Sequence, residues 1–280
     1  DDIIKVVPDI LSGKVSISSI KRNQGIPDYS GVLELHGKEE GIVVINEVLL
    51  EEYLYTVVPS EMPAYYHEQA LMAQAVCART YEYKKMQNAG LKALGAHLDD
   101  STSFQVYNNI EEQISTTAAV RQTVGQIVSK NGQPMETMYY STSFGLGSGG
   151  LRLNKEEKAI VDLSTNDAFE EYILNSYETD FEVKEGFYRW EYDTNLDEEV
   201  LETRIKECYT KNRNNVMFLI DDDFEAVDEF KAIGKVEDIF VAERSMGGRV
   251  EKLIVKGSKS TVMICGEYQI RYSLLNEEKA

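Results

Sequence analysis

A single long helix constrains the fold of this chain more than any other feature of its sequence. Residues 67–88 have the composition and spacing of a helix that Gly90 can close. Apolar side chains point in several directions around it, and four small residues favour close packing: Ala70, Ala73, Ala75 and Ala78. We therefore predict that the helix is buried on most sides. Arg79 lies inside the apolar stretch, where an unpaired charge is strongly destabilising, so an anion is expected beside it.

Short strand-like runs joined by turns make up much of the remaining pattern. The predicted strands are residues 31–36, 41–48, 104–107, 126–129, 134–140, 239–243, 250–256 and 261–265. Asn131-Gly132 is the dipeptide that best tolerates a tight primed hairpin turn. Further helices are predicted at 115–123 and 267–275. The pattern predicts an α+β protein in which antiparallel hairpins pack against the long buried helix.

The domain organisation follows from where this pattern is strong and where it fades. We predict an N-terminal extension at residues 1–30, following a trimmed signal or membrane anchor, because the chain starts with Asp1 rather than Met. Residues 31–280 are predicted to form one catalytic domain. Within it, residues 153–237 are charged and less periodic, and we expect a variable lobe there.

Charge and composition exclude several classes of protein. The chain has 29 Lys and Arg against 48 Asp and Glu, a net charge of −19. A surface this acidic repels phosphate backbones and anionic lipid, so we predict no nucleic-acid partner and no membrane contact except through a segment outside this sequence. Cys77, Cys208 and Cys265 are odd in number and lack CxxC spacing, which argues against a disulfide framework and a structural zinc site.

The segment Pro59-Ser60-Glu61-Met62-Pro63 has the most unusual local pattern. An amphipathic helix beginning at Leu50 is predicted to end at Pro59, which leaves Glu61 on a loop stiffened by two prolines. A carboxyl group held beside apolar residues can keep its proton and act as a general acid. The alternative is structural: Glu61 caps the long helix or pairs with Arg79.

Three familiar catalytic or binding motifs are incomplete in this sequence. Residues 145–150 read GLGSGG and fit a dinucleotide-binding pattern, but the residues after them are a poor start for the helix that such a site needs. His67 and Glu68 begin a zinc-protease helix, yet Leu71 stands where the second histidine is required. No Gly-x-Ser-x-Gly elbow occurs. We predict no nucleotide or other cofactor.

Two adjoining runs make the sequence recognisable. Residues 53–63 read YLYTVVPSEMP, and residues 68–81 read EQALMAQAVCARTY. Together they resemble the signature of the stage II sporulation protein D family (SpoIID/LytB domain). The resemblance continues in shorter matching segments over about residues 31–275 and is weakest at about 155–235.

This resemblance implies a lytic transglycosylase of the bacterial cell wall. Such an enzyme cleaves the bond between MurNAc and GlcNAc in peptidoglycan glycan strands, preferably denuded of stem peptides, and leaves 1,6-anhydroMurNAc ends. Glu61 corresponds to the catalytic acid, which then serves as the base, in a cleft at the loop before the long helix. By the same resemblance, substrate-binding roles are assigned to Ser60, Gln74, Arg79, Gln105, Tyr140, Ser141, Ser143 and Gly145. A second carboxylate such as Asp99 or Asp100 opposite Glu61 would instead favour hydrolysis.

The resemblance also implies a location and partners. The protein is expected outside the cytoplasmic membrane, anchored or secreted, in a Gram-positive spore-forming bacterium, with glycan strands and a cell-wall amidase as partners. The competing hypothesis is a non-catalytic glycan-binding module that activates such an amidase. Tyr65, Tyr66, Tyr139 and Tyr140 are candidate sugar contacts, with ordinary core packing as the alternative.

Two departures from the family pattern matter. Some members carry His and Cys before the segment that contains Gln105 and bind zinc there, whereas residues 101–104 here read STSF, so we predict no metal. Residues 143–148 read SFGLGS in place of the usual Ser-Gly-Gly loop and its Thr-Glu pair, so a polar edge of the expected cleft becomes apolar.

Overall fold

The protein is mixed α/β with antiparallel sheets, which confirms the predicted fold class at that level. The computed structural model describes residues 3–10, 12–22, 25–39, 41–87, 91–100, 104–147, 149–191 and 195–274. The chain divides into two compact units, Asp1–Tyr139 and Tyr140–Ala280. In the described ranges, no helix is both long enough and apolar enough to cross a bilayer.

The first unit consists of short sheets and three helices in its described part. Its elements are β1 (Ile3–Val6), β2 (Val15–Ser16), β3 (Asp28–Tyr29), β4 (Val32–Lys38), β5 (Gly41–Glu47), α1 (Leu50–Glu61), α2 (Glu68–Gln87), a 3₁₀ turn (Lys92–Leu94), α3 (Ile114–Gln122), β6 (Ser129–Lys130) and β7 (Gln133–Pro134).

Both predicted hairpins of the first unit are confirmed. β4 and β5 pair antiparallel, and β1, which the sequence pattern did not reveal, extends this sheet to the order β1-β4-β5. β1 was missed because its four residues, IIKV, do not alternate between apolar and polar types. Asn131 and Gly132 have φ values of 53° and 75°, as a primed turn requires, and join β6 to β7. The prediction of strands at residues 126–128 and 135–140 is wrong, because the pairing is confined to two residues on each side of the turn.

Helix α1 extends further than the sequence predicted. The prediction that it ends at Pro59 is wrong, because the helix continues through this proline to Glu61. Pro59 removes only one backbone donor near the helix end, and the Ser60 hydroxyl donates to the Thr56 carbonyl oxygen at 2.6 Å. Met62 is extended with φ −137° and ψ 131°, because the following proline disfavours a helical residue before it. Glu61 is therefore the last residue of a helix.

Helix α2 confirms the long helix predicted at 67–88, although Asn88 and Gly90 lie outside the described residues. The His67 ring nitrogen Nδ1 accepts from the Gln69 backbone N–H at 3.2 Å, which caps the start of the helix. Ala75 and Ala78 are fully buried, whereas Ala73 is exposed, so α2 is covered on fewer sides than predicted. It packs against α1 and α3, and its buried alanines share a core with Leu33 of β4.

The second unit is built around a five-stranded antiparallel sheet. Its elements are β8 (Leu151–Leu153), β9 (Lys158–Ile160), α4 (Asn166–Leu174), α5 (Glu198–Lys211), a 3₁₀ turn (Arg213–Asn215), β10 (Val216–Ile220), β11 (Asp223–Glu225), β12 (Val236–Arg244), β13 (Val250–Gly257), β14 (Thr261–Cys265) and α6 (Glu267–Leu274).

The sheet of the second unit has the strand order β11-β10-β14-β13-β12. Its last three strands and helix α6 confirm the prediction for the end of the chain, apart from Leu275, which lies outside the described residues. Ile205 of α5, Phe218 of β10 and Val255 of β13 are fully buried in one core. Residues within the range 153–237 thus share a sheet and a core with the chain's last strands.

Candidate functional site

Glu61 is positioned by the buried face of α1. Tyr53, Leu54 and Val57, on the apolar face of the amphipathic helix predicted from Leu50, are at most 6% exposed and fix the orientation of the helix. The Glu61 side chain, at the end of this helix, is half-buried. The catalytic candidate thus sits on a rigid, well-packed element, as precise positioning of a reacting group requires.

The Glu61 carboxyl group belongs to a hydrogen-bonded network within the first unit. Its Oε1 accepts from the Val106 backbone N–H at 2.6 Å, and the Tyr139 hydroxyl also hydrogen-bonds it. The Tyr139 hydroxyl donates to Gln105 Oε1 at 2.9 Å, and Gln105 Nε2 lies 3.5 Å from the Tyr53 hydroxyl. We call these five residues the Glu61 network. Two of its members, Glu61 and Gln105, were predicted site residues.

Tyr139 is kept as a neutral phenol in this network. Burial first, and then the negative charge and hydrogen bond of Glu61, raise the pKa of Tyr139 well above its usual value. A neutral phenol can donate to a carboxylate or accept from a carboxylic acid, so Tyr139 can serve both protonation states of Glu61.

The segment around Val106 corrects one prediction. Residues 104–107 were predicted as a strand, but they belong to none of the strands in the described part of the first unit. The reason is that the Glu61 carboxyl group accepts from the Val106 backbone N–H, which a sheet would otherwise pair. The local sequence around Val106 cannot reveal an acceptor such as Glu61, which lies 45 positions away in the chain.

Arg79 forms a separate cluster around Glu51. Its guanidinium is 1% exposed, and its Nε and Nη2 atoms donate to the two Glu51 carboxylate oxygens, each at 2.8 Å. Further bonds reach the carbonyl oxygens of Val120 and Gln126, both at 3.2 Å. The predicted anion beside Arg79 is confirmed and is Glu51. Its role in substrate binding stays a prediction.

Ser60 and Gln74, the other two predicted site residues of the first unit, are not hydrogen-bonded to Glu61 among the described contacts. The Ser60 hydroxyl is bonded to its own helix. Gln74 is 7% exposed, and its Nε2 has no hydrogen-bond partner among the described residues.

Asp99 and Asp100, the possible second carboxylates, line a cavity whose described lining residues do not include Glu61. Asp100 also forms an ion pair with Arg22.

The remaining four predicted residues belong to the second unit. Tyr140 is 61% exposed, and Ser141 is also exposed. The Ser143 hydroxyl donates to Glu182 Oε1 at 2.9 Å and accepts from the Gly145 backbone N–H at 3.1 Å. Gly145 itself is buried. Ser143 and Gly145 thus form a bonded turn, whereas Tyr140 and Ser141 are open to solvent.

The glycine-rich loop is followed by strand β8 and not by a helix. This confirms the sequence-based objection to a dinucleotide site, because such a site needs a helix N-terminus at the third glycine. Ser148 and residues 101–103, on which the prediction of no zinc depends, lie outside the described residues. Within the described ranges, no group of three or more His, Cys, Asp or Glu could hold a metal ion.

Gly145 should tolerate no side chain. It has φ +93°, and an added Cβ would lie 2.1 Å from Oδ2 of Asp180, which is 1% exposed and held by Tyr188 at 2.6 Å. We expect Gly145→Ala to destabilise the second unit by about 2 kcal/mol or more. Gly149→Ala is the matched control, because its Cβ would meet nothing within 4 Å. Urea unfolding measures both, and equal stability of the two variants would contradict this account.

Comparison with known protein families finds a match over the part of the chain that holds most of the Glu61 network. Residues 38–129 match the family model SpoIID, described as a stage II sporulation protein. This segment of the chain is similar to the SpoIID family. The match, which we call the SpoIID segment, is shorter than the resemblance predicted over 31–275. It contains Ser60, Glu61, Gln74, Arg79 and Gln105, and ends before the four predicted residues of the second unit.

Similar curated proteins agree with this assignment. The chain is 39% identical over 115 residues to stage II sporulation protein D of Bacillus subtilis, covering 36% of this chain and 34% of that protein. It is 38% identical over 89 residues to the amidase enhancer of the same bacterium, covering 32% of this chain and 12% of that protein. The chain thus spans about a third or less of the length of the curated relatives it matches.

The SpoIID segment also contains an acidic residue that the sequence analysis missed. Glu82 of α2 is 7% exposed, and its Oε2 has no hydrogen-bond partner among the described residues. Burial raises its pKa to about 7, against a smaller opposing effect of Lys85. Val106 and Glu51 were missed as well. Only the fold reveals them: Val106 and Glu51 through their partners, and Glu82 through its burial, which could have been suspected from its place between apolar turns of the helix.

Glu82 should make the stability of the protein depend on pH. Its pKa is higher in the folded state, about 7, than in the unfolded chain, near the ordinary 4.5. Ionisation therefore costs nothing below about pH 4.5 and progressively more up to pH 7, reaching about 3 kcal/mol at roughly 1.4 kcal/mol per pKa unit. We expect Glu82→Gln to be more stable than the parent at pH 8 and similar at pH 4.5. Thermal unfolding of both proteins between pH 4.5 and pH 8 measures the difference. If the stability of the variant and of the parent changed with pH in the same way, the prediction would be refuted.

Proposed function

We propose that this protein is a peptidoglycan lytic transglycosylase in which Glu61 is the catalytic residue. The observation that carries the proposal is the Glu61 network, in which one half-buried carboxyl group at a helix end meets a backbone donor and a neutral phenol. The SpoIID segment contains this network apart from Tyr139. The substrate is the MurNAc–GlcNAc linkage of glycan strands, denuded of stem peptides.

The chemistry requires one carboxyl group that works twice. Protonated Glu61 gives its proton to the bridging oxygen, the C1–O bond of MurNAc breaks, and the GlcNAc hydroxyl leaves. The resulting carboxylate takes the proton of the MurNAc C6 hydroxyl, whose oxygen bonds to C1 and forms the 1,6-anhydro ring. No water is consumed, and Glu61 ends protonated as it began.

The surroundings of Glu61 fit both halves of this cycle. When Glu61 has lost its proton, the Val106 N–H and the Tyr139 hydroxyl can donate to the new carboxylate and stabilise it. When Glu61 is protonated, Tyr139 can donate to Gln105 instead, at the 2.9 Å observed. The Tyr139 hydroxyl can therefore turn its hydrogen from Gln105 to Glu61 while the heavy atoms stay in place. This lowers the free energy of reorganisation during the reaction.

Hydrolysis would need a second carboxylate or a general base for water. Asp100 forms an ion pair with Arg22. Asp99 and Asp100 both line a cavity of the first unit, and Glu61 is not among the described residues that line it. This supports intramolecular attack by the C6 hydroxyl over attack by water. In the proposal, the glycan lies in a cleft at the end of α1, beside the loop that leads into α2.

The proposed setting is the cell wall, outside the cytoplasmic membrane of a spore-forming Gram-positive bacterium, with the protein anchored or secreted. The similarity to stage II sporulation protein D of two Bacillus species supports this setting. A net charge of −19 suits it, because an acidic surface avoids nonspecific attachment to an anionic wall.

A second candidate is supported by the similarity to the amidase enhancer. In this alternative, the protein binds denuded glycan without cleaving it and activates a cell-wall amidase. Incubation of the purified chain with denuded glycan strands separates the two, with mass spectrometry of the soluble products. Fragments ending in 1,6-anhydroMurNAc support the transglycosylase. Binding to the strands with no new reducing or anhydro ends would support the second candidate and overturn the first.

A further inference from the structure

The first unit contains a cavity of about 500 Å³ that the proposed reaction does not use. Its walls come from strand β5, from α2 near its end, and from the segment 91–100. Three tyrosines line it: Tyr29, Tyr53 and Tyr107. A volume of this size holds a ligand of monosaccharide or amino-acid size with room to spare, and tyrosine rings offer flat faces to such a ligand.

The charge of this cavity points to a cation. Its described lining includes five carboxylates, one arginine and one histidine: Glu34, Glu47, Glu82, Asp99, Asp100, Arg22 and His97. Arg22 is itself engaged by Asp100, and Lys5, which is not a lining residue, pairs with Glu34 and Glu47, so the carboxylates still outnumber the cations. Such a wall repels anionic ligands and attracts positive ones, and tyrosine faces add to the attraction.

Glu82 is the group that a ligand would engage. It lines the cavity, only 7% of its surface is exposed, and its Oε2 has no hydrogen-bond partner among the described residues. A buried carboxyl oxygen without a partner costs free energy, which a bound donor would recover. Tyr53, whose hydroxyl belongs to the Glu61 network, borders the same cavity.

We propose that this cavity binds a small primary ammonium compound, of monosaccharide or amino-acid size, whose ammonium group hydrogen-bonds the Glu82 carboxylate. The inference does not depend on the proposed function. When the ligand binds, Glu82 loses its proton and its carboxylate pairs with the ammonium group. The tyrosine rings contact the carbon skeleton of the ligand.

Proton release should accompany this binding. Burial raises the pKa of Glu82 to about 7, and a bound cation lowers it again. The groups with a direct electrostatic effect on Glu82, or from it, are Lys85, Tyr53 and Tyr81. The other charged and titratable groups of the described cavity lining are Arg22, Glu34, Glu47, His97, Asp99 and Asp100. Burial and nearby carboxylates raise the pKa of both tyrosines, so they stay neutral throughout. At pH 6, binding should release up to one proton per ligand.

The test uses glucosamine as the probe and N-acetylglucosamine as its neutral counterpart, in isothermal titrations of the full chain at pH 6. Two buffers of different ionisation enthalpy report the released proton. We expect saturable binding of glucosamine, at least about 10-fold weaker binding of N-acetylglucosamine, and a similar loss in Glu82→Gln. Glu111→Gln, an exposed site outside the cavity lining, is the control and should bind as the parent does.

Three outcomes would overturn the proposal. They are absence of saturable glucosamine binding at tens of millimolar, equal binding of the neutral sugar, and unchanged binding in Glu82→Gln with its fold confirmed by circular dichroism. Glycan cleavage is not a readout of this test, so failure of the cavity proposal and failure of the transglycosylase proposal remain distinguishable.

Discussion

Glu61→Gln is expected to release no measurable 1,6-anhydroMurNAc ends from denuded glycan, a loss of about 10³-fold or more. The amide cannot donate the proton that cleaves the bridging bond or accept the proton of the C6 hydroxyl. Its oxygen can still accept from the Val106 N–H, so the end of α1 should keep its structure. Mass spectrometry of the products measures the loss, and circular dichroism confirms the fold.

The matched control is Glu52→Gln, which removes a carboxylate from the first turn of the same helix. It should retain the parent's activity, because Glu52 is not a member of the Glu61 network. Glycan binding should survive in Glu61→Gln, since the substitution is nearly isosteric. If Glu61→Gln cleaved at a rate within a few-fold of the parent, Glu61 would not be the acid.

Arg79→Ala is expected to destabilise the first unit by about 3–5 kcal/mol, the largest stability effect that we predict. The substitution leaves the Glu51 carboxylate without its bidentate partner, and the carbonyl oxygens of Val120 and Gln126 lose the guanidinium that donates to them. Because Arg79 is only 1% exposed, it also leaves a cavity in the buried interior. Urea unfolding of the full chain measures the change.

The control for Arg79 is Arg121→Ala in α3, whose exposed guanidinium contacts the Tyr55 ring and should matter by less than about 1 kcal/mol. The double variant Arg79→Leu with Glu51→Leu should recover part of the lost stability, because no unpaired charge remains buried. An Arg79→Ala variant as stable as the parent but inactive on glycan would show that its main role is to bind substrate.

Much of the first unit could be predicted because its signals are local. The hairpin of β4 and β5, the Asn131-Gly132 turn and the long helix α2 each follow from residue spacing over a few turns. The buried anion beside Arg79 followed from the cost of an unpaired charge. Its identity as Glu51, 28 positions earlier, did not, because spacing along the chain does not fix which helix faces meet.

The candidate site was predictable as residue types but not as a network. The two prolines around Glu61 suggested a loop, and a single proline near a helix end proved too weak a break to stop α1. The Val106 N–H carries no side-chain signal at all, so its bond to Glu61 could not be read from residue types. Glu82 was hidden by the many acidic residues of a chain in which a solvated carboxylate is the default.

Helix α1 is held at both of its ends by a carboxylate, Glu51 by Arg79 and Glu61 by the Val106 N–H. With a rise of about 1.5 Å per residue, the two carboxylates are separated by roughly 15 Å along the helix. Loosening the Glu51–Arg79 pair would let the whole helix shift, and the Glu61 carboxyl group, which we propose as the catalytic acid, would shift with it. Substitutions at this ion pair are therefore expected to lower the proposed activity without changing any residue of the Glu61 network.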